Sequence, residues 1–204
     1  MSDVEKILGV VLAAGASSRM GTSKMALPWD EVSILETTLA HVSGSGVEDI
    51  LLVTGGHREL VESLPCVAGI EQIFNADYAA GEMISSIKLA LQKILSSPNL
   101  PDAIFVLPGD MPFVTAEIID QIIGIWRKSP EYIVAPQHSG KRGHPVLFPF
   151  EIFKEFETLS AESVPRDLLK KHKLLLRLVE ISDPAVLIDI DTPEAYAKYR
   201  PLSG

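Results

Sequence analysis

The sequence predicts an α/β fold: a mostly parallel sheet with helices on both faces. Three observations lead there. Residues 7–12, 49–54 and 103–107 are short, nearly continuous apolar runs, the pattern of strands buried on both sides. Segments with apolar residues at helical spacing separate them, the alternation that builds βαβ units. A turn-forming stretch closes each run: a Gly/Ser-rich loop after Leu12, Gly55-Gly56 after Thr54, and Pro108-Gly-Asp-Met-Pro112 after Leu107.

Taken in order, Ile7 to Leu12 is the first strand and residues 13–24 its loop. Ser33 opens a helix, with Glu36 three residues on completing a capping box. The strand 49–54 leads to a helix from Arg58 to Leu64, and residues 70–74 suit a short strand. Met83, Ile84, Ile87, Leu91 and Ile94 give residues 82–95 a helical apolar face. The breaker at 96–101 precedes the strand 103–107, and a helix follows over about 115–127. Residues 132–135 and 145–148 read as strands joined by a polar loop from Gln137 to His144. Two short helices come next, then a strand near 175–179. Asp191-Thr-Pro-Glu194 opens a last helix, with Pro193 suited to its first turn.

The 204 residues suffice for one sizeable core and are read as a single domain. A hydrophobic fraction of 47% against 22% charged residues is the balance of a folded protein. The net charge of −9 argues against a broad nucleic-acid surface, yet backbone N–H groups and a few cations still suffice for a small anion. Cys66 is the sole cysteine and lies among apolar residues, so an idle thiol is expected rather than a disulfide or a nucleophile. Residues 1–6 carry no basic stretch or cleavage signal, and no apolar run approaches the roughly 20 residues of a membrane span. These features lead to the expectation of a cytoplasmic protein.

In a parallel α/β sheet, ligands bind beyond the carboxyl ends of the strands. That rule places the loops after Leu12, Thr54 and Leu107 on one rim. In the first, Gly15 and Gly21 permit unusual backbone, and Arg19 and Lys24 supply two cations, a composition that fits either a phosphate cradle or a flexible surface loop. The pattern is neither a Walker loop nor a dinucleotide fingerprint. Asp110 stands just past a buried strand, where a carboxylate suits Mg²⁺ and where a plain turn residue is also common. Asp189 and Asp191 would face one side of a strand and add metal ligands; Asp191 or Thr192 is equally a good helix cap. Arg142 and His144 lie in the most cationic loop, either an anion site or a solvated hairpin. Ser85 and Ser86 sit in the first turns of a helix, where they meet a base or ribose or simply serve the helix end.

Taken together, the motifs Val11-Leu-Ala-Ala-Gly-x-Ser-Ser-Arg-Met-Gly-x-x-Lys24, Leu27-Pro-Trp29, Asn75 to Ser86, Gly109-Asp-Met-Pro112, Arg142-Gly-His-Pro-Val-Leu-Phe148 and Asp189-Ile-Asp-Thr-Pro-Glu194 resemble one family over nearly the whole chain. It is that of the molybdenum cofactor nucleotidyltransferases, most closely its cytidylyltransferase-like branch. The resemblance implies a three-layer α/β/α Rossmann-like fold in one nucleotidyltransferase domain, with Mg²⁺-dependent transfer of CMP from CTP to a molybdopterin-type acceptor. It implies nucleotide contacts from Leu12, Ala13, Ala14, Gly15, Arg19, Lys24, Thr54, Gly81, Ser85, Ser86, Pro108 and Gly109. Lys24, Arg19 and Asp110 would carry the chemistry, Asp110 and Asp191 (with Asp189 in reserve) the metal, and Arg142 and His144 the acceptor. Leu-Ala-Ala-Gly is the pattern of cytidylyl members, whereas guanylyl members carry Leu-Ala-Gly-Gly, so Ala14 points to CTP. Two stretches depart from the family: Gly81-Glu82-Met83, where Gly-Met is usual, and Ser160 to Pro165, which stands for a Gly-Ala-Arg-like segment. The alternatives are a sugar- or polyol-phosphate nucleotidyltransferase and a non-catalytic factor that delivers the cofactor to a molybdoenzyme.

Overall fold

In the computed structural model, residues 5–17, 20–80, 83–160 and 162–201 are described. Arg19, Gly81 and Glu82, and the first four residues, lie outside them. The strands are β1 (Ile7–Ala13), β2 (Pro28–Trp29), β3 (Val32–Ser33), β4 (Asp49–Thr54), β5 (Glu71–Phe74), β6 (Ala103–Pro108), β7 (Ile133–His138), β8 (Lys141–Arg142), β9 (Val146–Pro149) and β10 (Leu176–Glu180). The helices are α1 (Ile34–Ser43), α2 (Arg58–Glu62), α3 (Met83–Leu95), α4 (Ala116–Trp126), α5 (Phe150–Phe153), α6 (Pro165–Lys171) and α7 (Pro193–Tyr199). The main sheet runs β10-β7-β9-β6-β1-β4-β5, with β8 added to β7. The pairs β1–β4, β1–β6, β4–β5 and β7–β10 are parallel. β9 is antiparallel to both β6 and β7, and β8 is antiparallel to β7, so the sheet is mixed toward that edge.

The period of two in each strand sorts the core into layers. Val11, Ala13, Phe105 and Leu107 face α1 and α4, meeting Leu35, Leu39, Ile119, Ile122 and Trp126. Val10, Leu12, Ile104 and Val106 face the other way, onto Ile84, Ile87 and Leu91 of α3, Phe153 of α5 and Leu168 of α6. Each fully buried side chain of this size contributes roughly 1.5–3 kcal/mol. The result is the three-layer α/β/α arrangement. Among the described residues no helix is long and apolar enough to cross a membrane.

Local chemistry sets the element ends. Ser33 Oγ accepts the Glu36 N–H at 3.2 Å while Glu36 Oε2 accepts the Ser33 N–H at 2.8 Å, the expected capping box. Two short elements differ from the sequence reading. The helix after β4 stops at Glu62, with a separate 3-10 turn at Pro65–Val67, because Pro65 cannot extend it. Residues 188–191 form no strand, so Asp189 and Asp191, read from the sequence as on a strand, lie on a loop.

Candidate active site

From β1 the chain builds β4 and β5 on one side, then returns to β6 on the other. The crevice beyond the carboxyl ends of β1 and β6 is therefore the switch point of the sheet. Here lies a cavity of about 700 Å³. Its floor is tied together by the Gly109 N–H, which donates to the Leu12 carbonyl at 2.9 Å.

The loop after β1 is held by close backbone contact. The Gly56 N–H donates to the Ala14 carbonyl at 3.1 Å, and a Cβ on Gly56 would lie 2.7 Å from Ala16 Cα and 2.8 Å from Gly15 O. No other residue fits there. Ser17 has φ +50°, in the left-handed region that side chains resist, and its Oγ accepts the Lys24 N–H at 3.2 Å. These constraints fold the loop back and turn Lys24 into the cavity.

Lys24 Nζ donates to Asp110 Oδ2 and Asp191 Oδ1. Lys24 and Asp110 are nearly sealed from solvent, at 9% and 5% exposure. Asp191 arrives from the far end of the chain, set by a chain of contacts. The Ile190 N–H donates to the Asp110 carbonyl at 3.0 Å. Ile190 is buried with Trp29 and Ile34, and the Tyr196 hydroxyl donates to the Pro28 carbonyl at 2.7 Å. Thr192, not Asp191, caps α7, its hydroxyl accepting the Ala195 N–H at 3.2 Å. That division of labour leaves the Asp191 carboxylate directed at Lys24. Asp189 lines the same cavity.

Burial by itself would lower the Lys24 pKa, but Asp110 and Asp191 outweigh it, so the ammonium titrates above its ordinary value. Burial, with Asp191 and Asp189 beside it, pushes the Asp110 carboxyl up against the pull of Lys24. Asp110 and Asp191 against one ammonium leave a formal −2 + 1 = −1, with Asp189 on the same cavity. This is the charge deficit that a divalent cation satisfies, and a hard cation with two carboxylates, phosphate oxygens and water fits the donors present. Among the described residues no group of three or more His, Cys, Asp and Glu side chains makes a cage by itself, so substrate oxygens must complete any coordination.

Arg142, His144 and Arg166 line another part of the cavity. The His144 N–H donates to the Val186 carbonyl at 2.9 Å, and a Cβ on Gly143 would stand 2.0 Å from that same oxygen. The turn is thus locked against the 3-10 turn Pro184–Leu187. His144 Nδ1 is buried with no hydrogen-bond partner among the described residues. Burial, then Arg142 and Arg166, lower its pKa to about 4. A further wall carries Asn75, whose Nδ2 donates to Ser85 Oγ at 2.9 Å and Ser86 Oγ at 3.0 Å.

The structure gathers Leu12, Ala14, Gly15, Lys24, Ser86, Pro108, Asp110, Arg142, His144, Asp189 and Asp191 around one cavity. It places others elsewhere. Thr54 is fully buried and its hydroxyl donates to Glu62 at 3.2 Å, so it does not line the cavity. Ala13 faces the opposite core, Gly109 packs behind the floor, and the Ser85 hydroxyl serves Asn75. Arg19 and Gly81 lie outside the described residues. Tyr78, Val186 and Arg166 line the cavity although the sequence reading did not single them out. Arg166 directly follows the stretch Ser160 to Pro165, a departure that pointed to the right region without naming the side chain. Cys66 is half-buried, and burial together with Glu36 pushes its thiol up to about 11, which fits the expected idle thiol.

A backbone cradle, a buried lysine and converging carboxylates at the switch point of a Rossmann-like sheet define a transferase that handles nucleotides. The family model of the MobA-like NTP transferase domain matches residues 9–176, and the chain belongs to this family of molybdenum cofactor nucleotidyltransferases. It is 32% identical over 191 residues to the molybdenum cofactor cytidylyltransferase of Escherichia coli (strain K12), covering 92% of each chain. A probable molybdenum cofactor guanylyltransferase of Rhodopirellula baltica is 30% identical over 181 residues, covering 87% of this chain and 80% of that one. Among solved structures, Rv0371c of Mycobacterium tuberculosis H37Rv matches with TM-score 0.81 and 26% identity, covering 95% of this chain and 97% of that one.

Proposed function

We propose that this nucleotidyltransferase moves CMP from CTP to the phosphate of a molybdopterin-type acceptor, in one domain spanning the chain and with Mg²⁺ as cofactor. The observation that carries the reading is the meeting of Lys24, Asp110 and Asp191 at the mouth of the loop after β1. A bound Mg²⁺ would be held by Asp110 and Asp191, with Asp189 nearby, and would neutralise charge on the triphosphate. An oxygen of the acceptor phosphate attacks the α-phosphorus. A new P–O bond forms, the bond from that phosphorus to the bridging oxygen breaks, and its electron pair leaves with pyrophosphate. No protein nucleophile is needed, so the chain's part is positioning and charge. Backbone of Ala14 to Ser17 approaches the phosphates, Lys24 leaves its carboxylates for the α-phosphate, and Arg19 supplies a second cation. Arg142 and His144 receive the acceptor.

The choice of CTP rests on Ala14. It is 6% exposed and lines the cavity, so its methyl narrows the space beside the base. Ala14→Gly removes that methyl and is expected to shift the CTP:GTP ratio of kcat/KM toward GTP by roughly tenfold or more, the usual weight of one methyl in a pocket. Steady-state pyrophosphate release with each nucleotide, Mg²⁺ and molybdopterin measures it. Preference for GTP in the unaltered protein would exclude the cytidylyl assignment.

A further inference from the structure

The two edges of the main sheet differ. At one, β5 exposes Glu71 and Gln72, polar residues that discourage further pairing. At the other, β10 carries Leu176, Arg177, Leu178 and Val179 in a row, with no proline. Leu178 is 43% exposed, and Leu174, just before the strand, is 85% exposed. Arg177 does not guard this edge. Its guanidinium stacks over the Tyr132 ring at 4.5 Å and donates to Ser129 Oγ at 3.2 Å, which holds it against its own chain. Pairing with β7 fixes the backbone directions. The Ile133 N–H donates to the Leu175 carbonyl and the Ile181 N–H to the Gln137 carbonyl, both at 2.8 Å. Backbone groups alternate sides along a strand, so residues 175, 177, 179 and 181 serve β7. The N–H and C=O groups of Leu176, Leu178 and Glu180 point outward, where no strand of the described residues meets them. Charge divides along the same edge: Lys173 is exposed ahead of the strand, and Glu180 and Asp183 are exposed at its far end.

We propose that this edge pairs with β10 of a second copy of the chain, antiparallel and centred on Leu178, giving a two-fold dimer with one continuous sheet. In that register Leu178 stands opposite the partner's Leu178, and Leu176 opposite the partner's Glu180. Every outward N–H and C=O of Leu176, Leu178 and Glu180 then has a mate. Leu176 and Leu178 lie on one face of the strand, so the leucines of both copies form a single apolar stripe across the seam. Antiparallel pairing brings the basic end of each strand beside the acidic end of the other, whereas parallel pairing would set like charges together. The edge is thus complementary to itself in hydrogen bonding, apolar surface and charge, as a two-fold interface requires. The seam is only five residues long, at about 3.3 Å each, so a weak dimer with Kd in the micromolar range is expected.

The experiment is analytical ultracentrifugation of the full chain from about 1 to about 500 μM. The unaltered protein is expected to pass from monomer to dimer across that range. Leu178→Lys sets two ammonium groups opposite each other and should raise the dimer Kd on the order of 100-fold. Leu178→Pro removes an N–H that β7 does not use, so the chain's own ladder stays while the two central bonds of the dimer are lost. It should raise the Kd as well, with an unchanged far-UV circular dichroism spectrum. Lys173→Glu should weaken the dimer to a lesser degree. Leu100→Lys, at an exposed leucine in the loop before β6, should leave it unchanged. A monomer throughout the range overturns the proposal. So does a dimer that Leu178→Lys leaves intact, which would assign association to another surface. Equal weakening by Leu100→Lys would likewise overturn it, as the mark of unspecific apolar association.

Discussion

Replacing Lys24 with Met keeps the bulk of the side chain and removes its charge. Asp110 is 5% exposed and loses the ammonium that faces it, whereas the Asp191 side chain is 40% exposed and can turn to water. The cost therefore falls on Asp110. Stripping one partner from a buried pair costs about 3–5 kcal/mol. For a domain of this size each kcal/mol lowers Tm by about 2–4 °C, so the expected drop is roughly 6–20 °C. Lys24→Met with Asp110→Asn should restore much of it, since no unpaired charge then remains. The ammonium also occupies the place between the carboxylates where a cation belongs. Mg²⁺ without nucleotide should therefore stabilise Lys24→Met more than the unaltered protein, because a ligand that binds only the native state raises its Tm. Thermal unfolding of the three proteins with and without Mg²⁺ reads all of this. A Tm for Lys24→Met equal to that of the unaltered protein, or identical Mg²⁺ responses, would refute the reasoning. Catalysis should fall on the order of 10²- to 10³-fold in the same variant.

His144 supplies an acid-sensitive element. Its pKa of about 4 in the folded chain lies below the value of 6.5 for a free imidazole. Between those values the unfolded chain binds the extra proton, so the stabilisation is complete above pH 6.5 and is lost as pH falls toward 4. The shift corresponds to about 3 kcal/mol. Urea unfolding across this window should show that slope, and His144→Gln should remove it; an unchanged slope would assign the effect to other groups. Gly56→Ala drives a Cβ to within 2.8 Å of two atoms of the loop at Gly15 and Ala16. It should raise the KM for the nucleotide more than it lowers Tm, since the displaced backbone is the cradle and not the core; unchanged nucleotide kinetics would show that the loop tolerates the shift.

Much of this protein is written in local patterns. Strands β1, β4 and β6 follow from apolar runs, the start of α1 from Ser33 and Glu36, and the position of Lys24 and Asp110 from loops that follow buried strands. Such features depend on near neighbours in the chain: backbone preferences, turn residues and side-chain period. The directions of side chains at the ends of elements do not. Thr54 was placed on the correct rim by its strand, but the register against β5 and the approach of Glu62 turned its hydroxyl inward. The reversed direction of β9 came from pairing with β6 and β7 at once, which no local pattern specifies.

The loop after β1 was legible because it needs only glycines, a lysine and a preceding strand. Whether Asp191 or Thr192 would cap the last helix was open, since both residue types are good caps. Packing of Ile190 and α7 decided it, giving the cap to Thr192 and bringing Asp191 to a lysine 167 positions away. Arg166 shows the same limit, for an exposed arginine at the start of a short helix carries no local mark of the cavity it borders. Sequence alone determined which segments bear the chemistry, because local physics shapes them. The tertiary structure decided which side chains meet, because that depends on contacts between distant parts of the chain.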